Sequence, residues 1–171
     1  SYTVVGPEKP LSEGIVNLFR SKGHKIFGPT KEAAQLEGSK AFAKAFLARH
    51  HIPTAAFREF TEEQFDPHWL RAQPLPLVVK ADGLAAGKGV IIAETHEQAE
   101  AAVREMFAGR FSKAGHKIVV EQFLLGEEVS FIVMVDGTAV LPLATSQDHK
   151  RLLDKDLGPN TGGMGAYSPA P

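Results

Sequence analysis

The stretch Pro76-Leu-Val-Val-Lys-Ala-Asp-Gly-Leu-Ala-Ala-Gly-Lys-Gly-Val-Ile-Ile-Ala93 decides the fold. Leu77-Val78-Val79 and Val90-Ile91-Ile92 are short apolar runs rich in β-branched residues, and both read as buried strands. The segment between them, Ala81 to Gly89, carries Gly83, Gly87 and Gly89 along with Asp82 and Lys88, while Lys80 closes the first strand. A glycine-rich loop therefore joins two strands, with one cation at its root and a second near its tip.

Glycine lets a backbone come close to an anion, and successive N–H groups can form a nest around one. Two lysines add point charges suited to phosphate. The P-loop pattern G-x-x-x-x-G-K-[ST] does not fit. Gly83 and Gly87 enclose three residues, Gly89 stands where Ser or Thr would ligate magnesium, and the chain continues into a strand rather than a helix. A glycine loop carried on a hairpin is a different device, a flap over a nucleotide. Taken alone, the loop is equally compatible with an ordinary hairpin bearing two solvated lysines.

Composition narrows the classes. The chain has 171 residues, 43% of them hydrophobic, which suits one domain or somewhat more with a sizeable core. Lys and Arg number 19 against 20 Asp and Glu, so charge gives no reason to expect nucleic acid or an anionic membrane as a partner. Without cysteine there is no disulfide framework, thiolate metal site or thiol nucleophile, a composition compatible with the cytoplasm. No apolar run approaches the ~20 residues of a spanning helix, and no signal peptide is read. The ends read as cut. Tyr2-Thr-Val-Val5 reads as an interior parallel strand with nothing before it to pair with, and the chain stops at Ser168-Pro-Ala-Pro171 just after a glycine-rich loop. A piece of a larger enzyme is expected.

Val4-Val5 before Gly6-Pro7-Glu8 reads as a strand ending in a turn. Leu11, Ile15 and Leu18/Phe19 recur at helical spacing, Gly23 ends that helix, and Lys25–Phe27 is a second strand parallel to the first. Gly6-Pro7-Glu8 sits at a strand's carboxyl end, where α/β sheets place ligands and where any strand can turn into a helix. Thr30 caps a helix that Gly38 breaks, and Ser39 starts another with Phe42, Phe46 and Arg49 on one stripe. Lys40 lies in the first turn of that helix, where a cation opposes the dipole; it is either put to another use or solvated. Thr61-Glu-Glu-Gln64 and Thr95-His-Glu-Gln98 both fit the capping box, the first opening a short helix and the second a longer one with Ala99, Val103 and Met106 inward. Ile118-Val-Val120 supplies the next strand.

Glu121 and Glu128 flank an apolar stretch and a glycine. A carboxylate there can accept a ribose hydroxyl or sit exposed at a strand start. Val129–Val135 and Ala139–Leu143 read as a hairpin around Asp136-Gly137. Gln147-Asp-His-Lys-Arg151 and Gly158-Pro-Asn-Thr-Gly-Gly-Met-Gly165 read as one polar loop region with a second glycine nest, suited to a phosphorylated substrate or to a mobile surface loop. No pair of histidines has metal-ligand spacing beside a carboxylate.

The motifs VVGPE (Val4–Glu8), FGPT (Phe27–Thr30), QLEGSKAFAK (Gln35–Lys44), VVKADGLAAGKGV (Val78–Val90), GEEVSF (Gly126–Phe131), QDHKR (Gln147–Arg151) and GPNTGGMGAYSPAP (Gly158–Pro171) together resemble the ATP-grasp ligases. Among these they resemble the phosphoribosylamine–glycine ligase family, also called glycinamide ribonucleotide synthetases, and the likeness spans essentially the whole chain. The resemblance implies an α/β (α+β) ATP-grasp fold in three parts. Residues 1–37 would end an N-terminal parallel α/β domain, 60–124 would be the ATP lid, and 38–59 with 125–171 would be part of the large ATP-grasp lobe.

It further implies that Lys40 and Lys80 contact ATP phosphates and that Asp82, Gly83, Gly87, Lys88 and Gly89 belong to the flap covering them. Glu121 and Phe123 would meet the adenine and Glu128 the ribose. Gly6, Pro7, Glu8, Asp148, Lys150, Arg151, Asn160, Thr161, Gly162, Gly163, Met164 and Gly165 would face phosphoribosylamine, with Lys80 and Arg151 as the catalytic side chains. ATP and Mg²⁺ or Mn²⁺ are the implied cofactors, the metal's ligands being expected beyond Pro171 and none within the chain. The implied reaction, in the cytoplasm, joins glycine to 5-phosphoribosylamine through a glycyl phosphate in de novo purine biosynthesis. Neither nucleic acid nor membrane is an implied partner, and oligomeric state is left open. The 171 residues alone are expected to be inactive. Another ATP-grasp carboxylate–amine ligase, or a non-catalytic nucleotide-binding piece, is the alternative.

Overall fold

The computed structural model describes residues 1–84, 89–109 and 116–171. Gly87 and Lys88, at the expected tip of the flap, lie outside them. The chain falls into two compact units, one holding the described residues up to Phe123 and the other Leu124–Pro171.

The first unit opens with β1 (Thr3–Val4), which pairs in parallel with β2 (Ile26–Phe27). Val4 is exposed, as is Tyr2, and among the described residues β1 pairs with β2 alone. The single helix expected across Leu11–Phe19 is two, α1 (Glu8–Glu13) and α2 (Ile15–Ser21). They part at Gly14, whose φ of 96° is left-handed and whose N–H bonds back to Leu11 O at 3.0 Å. Glycine enters that conformation at little cost, so it ends α1 although the apolar spacing continues through it. Next come α3 (Gln35–Gly38) and α4 (Lys40–Arg49), and Ser39 Oγ caps α4 by accepting the N–H of Phe42 at 3.0 Å.

The strands β3 (Phe57–Thr61), β4 (Leu77–Ala81), β5 (Val90–Ala93) and β6 (Lys117–Gln122) form an antiparallel sheet in the order β3-β6-β4-β5. Side chains alternate between faces along a strand, so Leu77, Val79, Ala81, Ile118 and Val120 share one face. The helices α5 (Pro67–Arg71) and α6 (His96–Phe107) cover it, burying Leu70, Ala99, Val103 and Met106 with Phe60 in one core. Each large apolar side chain so buried contributes on the order of 2 kcal/mol.

Thr95 Oγ1 accepts the N–H of Gln98 at 3.2 Å, while Gln98 Oε1 accepts from Glu94 N at 2.8 Å, one residue before the expected partner. The capping box expected at Thr61 is corrected. Residues Glu62–Gln64 form one 3₁₀ turn, Thr61 makes no side-chain cap, and Asp66 caps α5 instead through the N–H groups of His68 and Trp69. Pro67 at the first helical position favours that start.

The second unit is built of hairpins. β7 (Val133–Asp136) and β8 (Ala139–Pro142) pair around the turn at Gly137, as the Asp-Gly pair predicts, with a separate bridge between Ser130 and Ser146. Every residue of both strands is exposed, Leu141 and Val140 among them. The polar loop region expected over Gln147–Gly165 is corrected: it is a hairpin of β9 (Gln147–Leu153) and β10 (Leu157–Tyr167) with irregular register. Charged residues and glycines have low strand propensity, but pairing supplies what propensity lacks. The turn between them holds Lys155 and Asp156 at φ of 58° and 56°. Among the described residues no helix is long and apolar enough to cross a membrane.

Candidate active site

Alternation along β4 and β6 sends charged side chains to the second face of the sheet. Lys80 lies opposite Val119 and Glu121 opposite Val78, so Lys80 and Glu121 are diagonal neighbours. Lys80 Nζ lies 3.0 Å from Glu121 Oε1. Lys44 arrives from α4, which packs on this side against β6, and its Nζ lies 2.8 Å from Glu121 Oε2. Lys44 also donates to Thr54 Oγ1 at 2.7 Å and to Ala55 O at 3.4 Å. The side chains of Lys44 and Glu121 are 10% and 5% exposed, that of Lys80 27%. A buried carboxylate is costly unless paired, and this one lies between two ammonium groups. Although Lys80 is close to Glu121 Oε1, it is not aligned to donate, so that buried oxygen has an electrostatic partner but no hydrogen-bond donor.

At the root of the flap the carboxylate of Asp82 turns toward the start of α4. Its Oδ1 accepts the N–H of Ala41 at 3.1 Å and the hydroxyl of Ser39 at 3.0 Å. An anion is stabilised at that end of a helix. Lys40, which opposes the dipole by position, sends its Nζ to Gly83 O at 2.8 Å. The N–H of Ala81 bonds to Gly89 O at 2.8 Å and that of Asp82 to Lys117 O at 2.9 Å, which closes the root. Burial holds the Lys40 ammonium below its usual pKa of 10.5; Asp82 pulls it back up and Lys80 presses it further down.

In the second unit Lys150 Nζ lies 3.2 Å from Asp148 Oδ2 and 3.3 Å from Glu128 Oε2. Burial, the largest single influence on Lys150, opposes its charge, but Asp148 and Glu128 together raise its pKa above 10.5. Arg151 Nη1 donates to Gly158 O at 2.7 Å across the β9–β10 turn, and Thr161 Oγ1 accepts the N–H of Gly163 at 3.0 Å. The Tyr167 hydroxyl donates to Gln147 Oε1. In the first unit Gly6, Pro7 and Glu8 lie where β1 gives way to α1, with Pro7 in extended backbone before the first helical turn.

Within the first unit Lys80 and Lys44 flank Glu121 while Lys40 and Asp82 join the flap root to the start of α4, and within the second Glu128 and Asp148 meet Lys150. Sequence reasoning missed Lys44, although it stands three residues after Ala41 on the buried stripe of α4. Half-buried Phe123 follows β6 directly. Among the described residues no group of three or more His, Asp or Glu side chains gathers to hold a metal ion.

The family model described as phosphoribosylglycinamide synthetase, ATP-grasp (A) domain, matches residues 38–171, and the corresponding N domain matches residues 1–37. The chain belongs to the phosphoribosylglycinamide synthetase family. Within this family it is 69% identical over 170 residues to the phosphoribosylamine–glycine ligase of Escherichia coli O6:H1, covering 99% of this chain and 40% of that protein. It is 67% identical over 170 residues to that of Pseudomonas aeruginosa, again covering 99% and 40%. The chain therefore spans about 40% of the length of these relatives. The crystal structure of the ligase from Thermotoga maritima superposes with a TM-score of 0.82 at 35% identity, covering all of this chain and 42% of that one. A D-alanine–D-alanine ligase from Bacillus anthracis, solved in complex with ATP, shares the fold with a TM-score of 0.63 at 20% identity, covering 85% of this chain and 46% of that one. The fold of this synthetase-family chain is thus ATP-grasp, a parallel strand pair followed by antiparallel sheets.

Proposed function

We propose that this chain is the nucleotide-binding portion of a phosphoribosylamine–glycine ligase, which joins glycine to 5-phosphoribosylamine with ATP. Identity of 69% across 99% of the chain to a ligase so named carries the reading, and the lysines gathered at the root of the flap support it. Residues 1–37 would end the N-terminal domain, 60–124 would form the lid, and 38–59 with 125–171 would belong to the large lobe. Cytoplasmic purine synthesis is the setting this reading implies.

A carboxylate is a poor acyl donor because oxide is a poor leaving group. Transfer of the γ-phosphoryl of ATP to the glycine carboxylate makes an acyl phosphate and ADP. The amine of phosphoribosylamine then attacks the acyl carbon, and inorganic phosphate leaves. The residues of this chain supply position and charge. Lys40 and Lys80 would hold ATP phosphates, the flap from Asp82 to Gly89 would cover them, and Glu121 would lie at the adenine. Phe123 would present its backbone to the base and Glu128 its carboxylate to the ribose. Gly6-Pro7-Glu8, Asp148, Lys150, Arg151 and Asn160–Gly165 would face the phosphoribosylamine, with Lys80 and Arg151 as the catalytic side chains. A divalent cation such as Mg²⁺ or Mn²⁺, when bound, would neutralise phosphate charge. The lid would keep water from the acyl phosphate.

The test is release of ADP that depends on both glycine and phosphoribosylamine, measured on the full-length protein and on residues 1–171. The full-length protein should require both; ADP release supported equally by another amino acid would point to a different ATP-grasp carboxylate–amine ligase. Residues 1–171 alone are expected to turn over nothing, because they span about 40% of the length of the ligases they resemble.

A further inference from the structure

Lys44 has no part in the ATP contacts assigned above, and its own bonds explain why. A lysine ammonium has three donors. Lys44 donates to Thr54 Oγ1 at 2.7 Å and to Ala55 O at 3.4 Å and ion-pairs with Glu121 Oε2 at 2.8 Å, so its ammonium is engaged within the protein. Lys80, on the other side of the same carboxylate, has Glu121 as its ion-pair partner among the described residues and is 27% exposed against 10% for Lys44.

Charge then separates the two lysines. Glu121 carries one negative charge and has an ammonium within 3.0 Å of each oxygen. With Lys44 as its counter-ion, Lys80 keeps a net positive charge for an incoming anion. Without Lys44, Lys80 would be the one ammonium among the described residues left ion-paired with this buried carboxylate and would be held to it. We infer that Lys44 is a positioning residue: by pairing with Glu121 it fixes that carboxylate and frees the charge of Lys80 for a nucleotide polyphosphate. The inference rests on the ATP-site reading above.

Steady-state kinetics and melting of the full-length protein test it, with K80A, K44M, E121Q and K44M/E121Q. Lys44→Met should raise KM for ATP about tenfold or more, the loss expected when a charged contact is weakened. It should leave kcat at saturating ATP and KM for glycine within about threefold. In the Glu121→Gln background the same change should alter KM for ATP by less than about twofold, because Lys44 acts only through that carboxylate. A lysine that merely supports the fold would lower the melting temperature without singling out ATP. The inference is overturned by ATP use unchanged in a folded K44M protein, or by an equal effect with and without Glu121. Should K44M not fold, K44M/E121Q leaves no buried charge unpaired, and a KM for ATP different from that of E121Q overturns it as well. ATP use unchanged in K80A removes the ATP-site reading itself; ATP use lost in K80A but intact in K44M removes only the role of Lys44.

Discussion

Asp82 Oδ1 accepts the backbone N–H of Ala41 at 3.1 Å, so the root of a glycine-rich hairpin is bonded to the first turn of a helix that precedes it in sequence. The carboxylate serves two purposes there. It answers one of the helix N–H groups that have no partner within the helix, and it accepts the Ser39 hydroxyl, whose oxygen caps Phe42.

Asp82→Ala should destabilise the first unit by about 2 kcal/mol, the cost of losing charge-assisted bonds at a helix start. Asp82→Asn, which keeps an acceptor oxygen, should lose less. Urea unfolding checks this: a lowered midpoint with unchanged slope is expected, and equal midpoints for D82A and the parent would remove Asp82 from the stability of the flap root.

Lys80→Ala in the full-length protein should lower kcat/KM for ATP roughly ten- to a hundredfold, the value of one charge-assisted phosphate contact. Glu128→Gln should weaken ATP while sparing KM for phosphoribosylamine. Because Glu128 also pairs with Lys150 at 3.3 Å, equal loss for both substrates would assign its carboxylate to holding Lys150 instead of to ribose.

If Lys40 holds ATP phosphates as proposed, ATP binding should be linked to the protonation of its ammonium. Burial lowers its folded pKa below the unfolded 10.5, so between the two values the unfolded chain binds more protons than the folded one. Stability from this group therefore rises with pH across that window, and the cost of its buried charge is present in full below it. Phosphate favours the charged form, so ATP binding within the window should take up a proton. Calorimetry in buffers of different ionisation enthalpy measures this, and Lys40→Met should abolish the uptake. No uptake in the parent would separate Lys40 from the phosphates.

Gly158→Ala tests the β9–β10 turn. Gly158 has φ of 83°, and an added Cβ would lie 2.9 Å from Leu153 Cγ. Left-handed backbone alone costs roughly 1–2 kcal/mol for a residue with Cβ. Faster amide exchange along Gln147–Leu153 is expected, and unchanged exchange would mean that the turn relaxes to admit a methyl.

The sequence made the sheet legible because β-branched runs and glycine punctuation are local signals. The hairpin of Leu77–Ala81 with Val90–Ala93, the capped helix after Thr95 and the turn at Asp136-Gly137 all follow from residues close together in the chain. Gly14 was missed because helical spacing runs straight across it. The strands Gln147–Leu153 and Leu157–Tyr167 read as loop from sequence because their charges and glycines argue against strand, and only their mutual pairing overrides that. Lys44 was missed for a different reason. On a ten-residue helix a lysine reads as solvated, and its counter-ion Glu121 is brought to it only by the sheet.

One carboxylate shared by two lysines also constrains how this protein can change over time. A lineage that loses Glu121 first leaves Lys44 buried without its counter-ion, and one that loses Lys44 first leaves Glu121 tied to Lys80. Neither single step is neutral, so Lys44 and Glu121 should be replaced together or not at all, and homologues carrying one without the other should be rarer than the separate frequencies of the two residues would give.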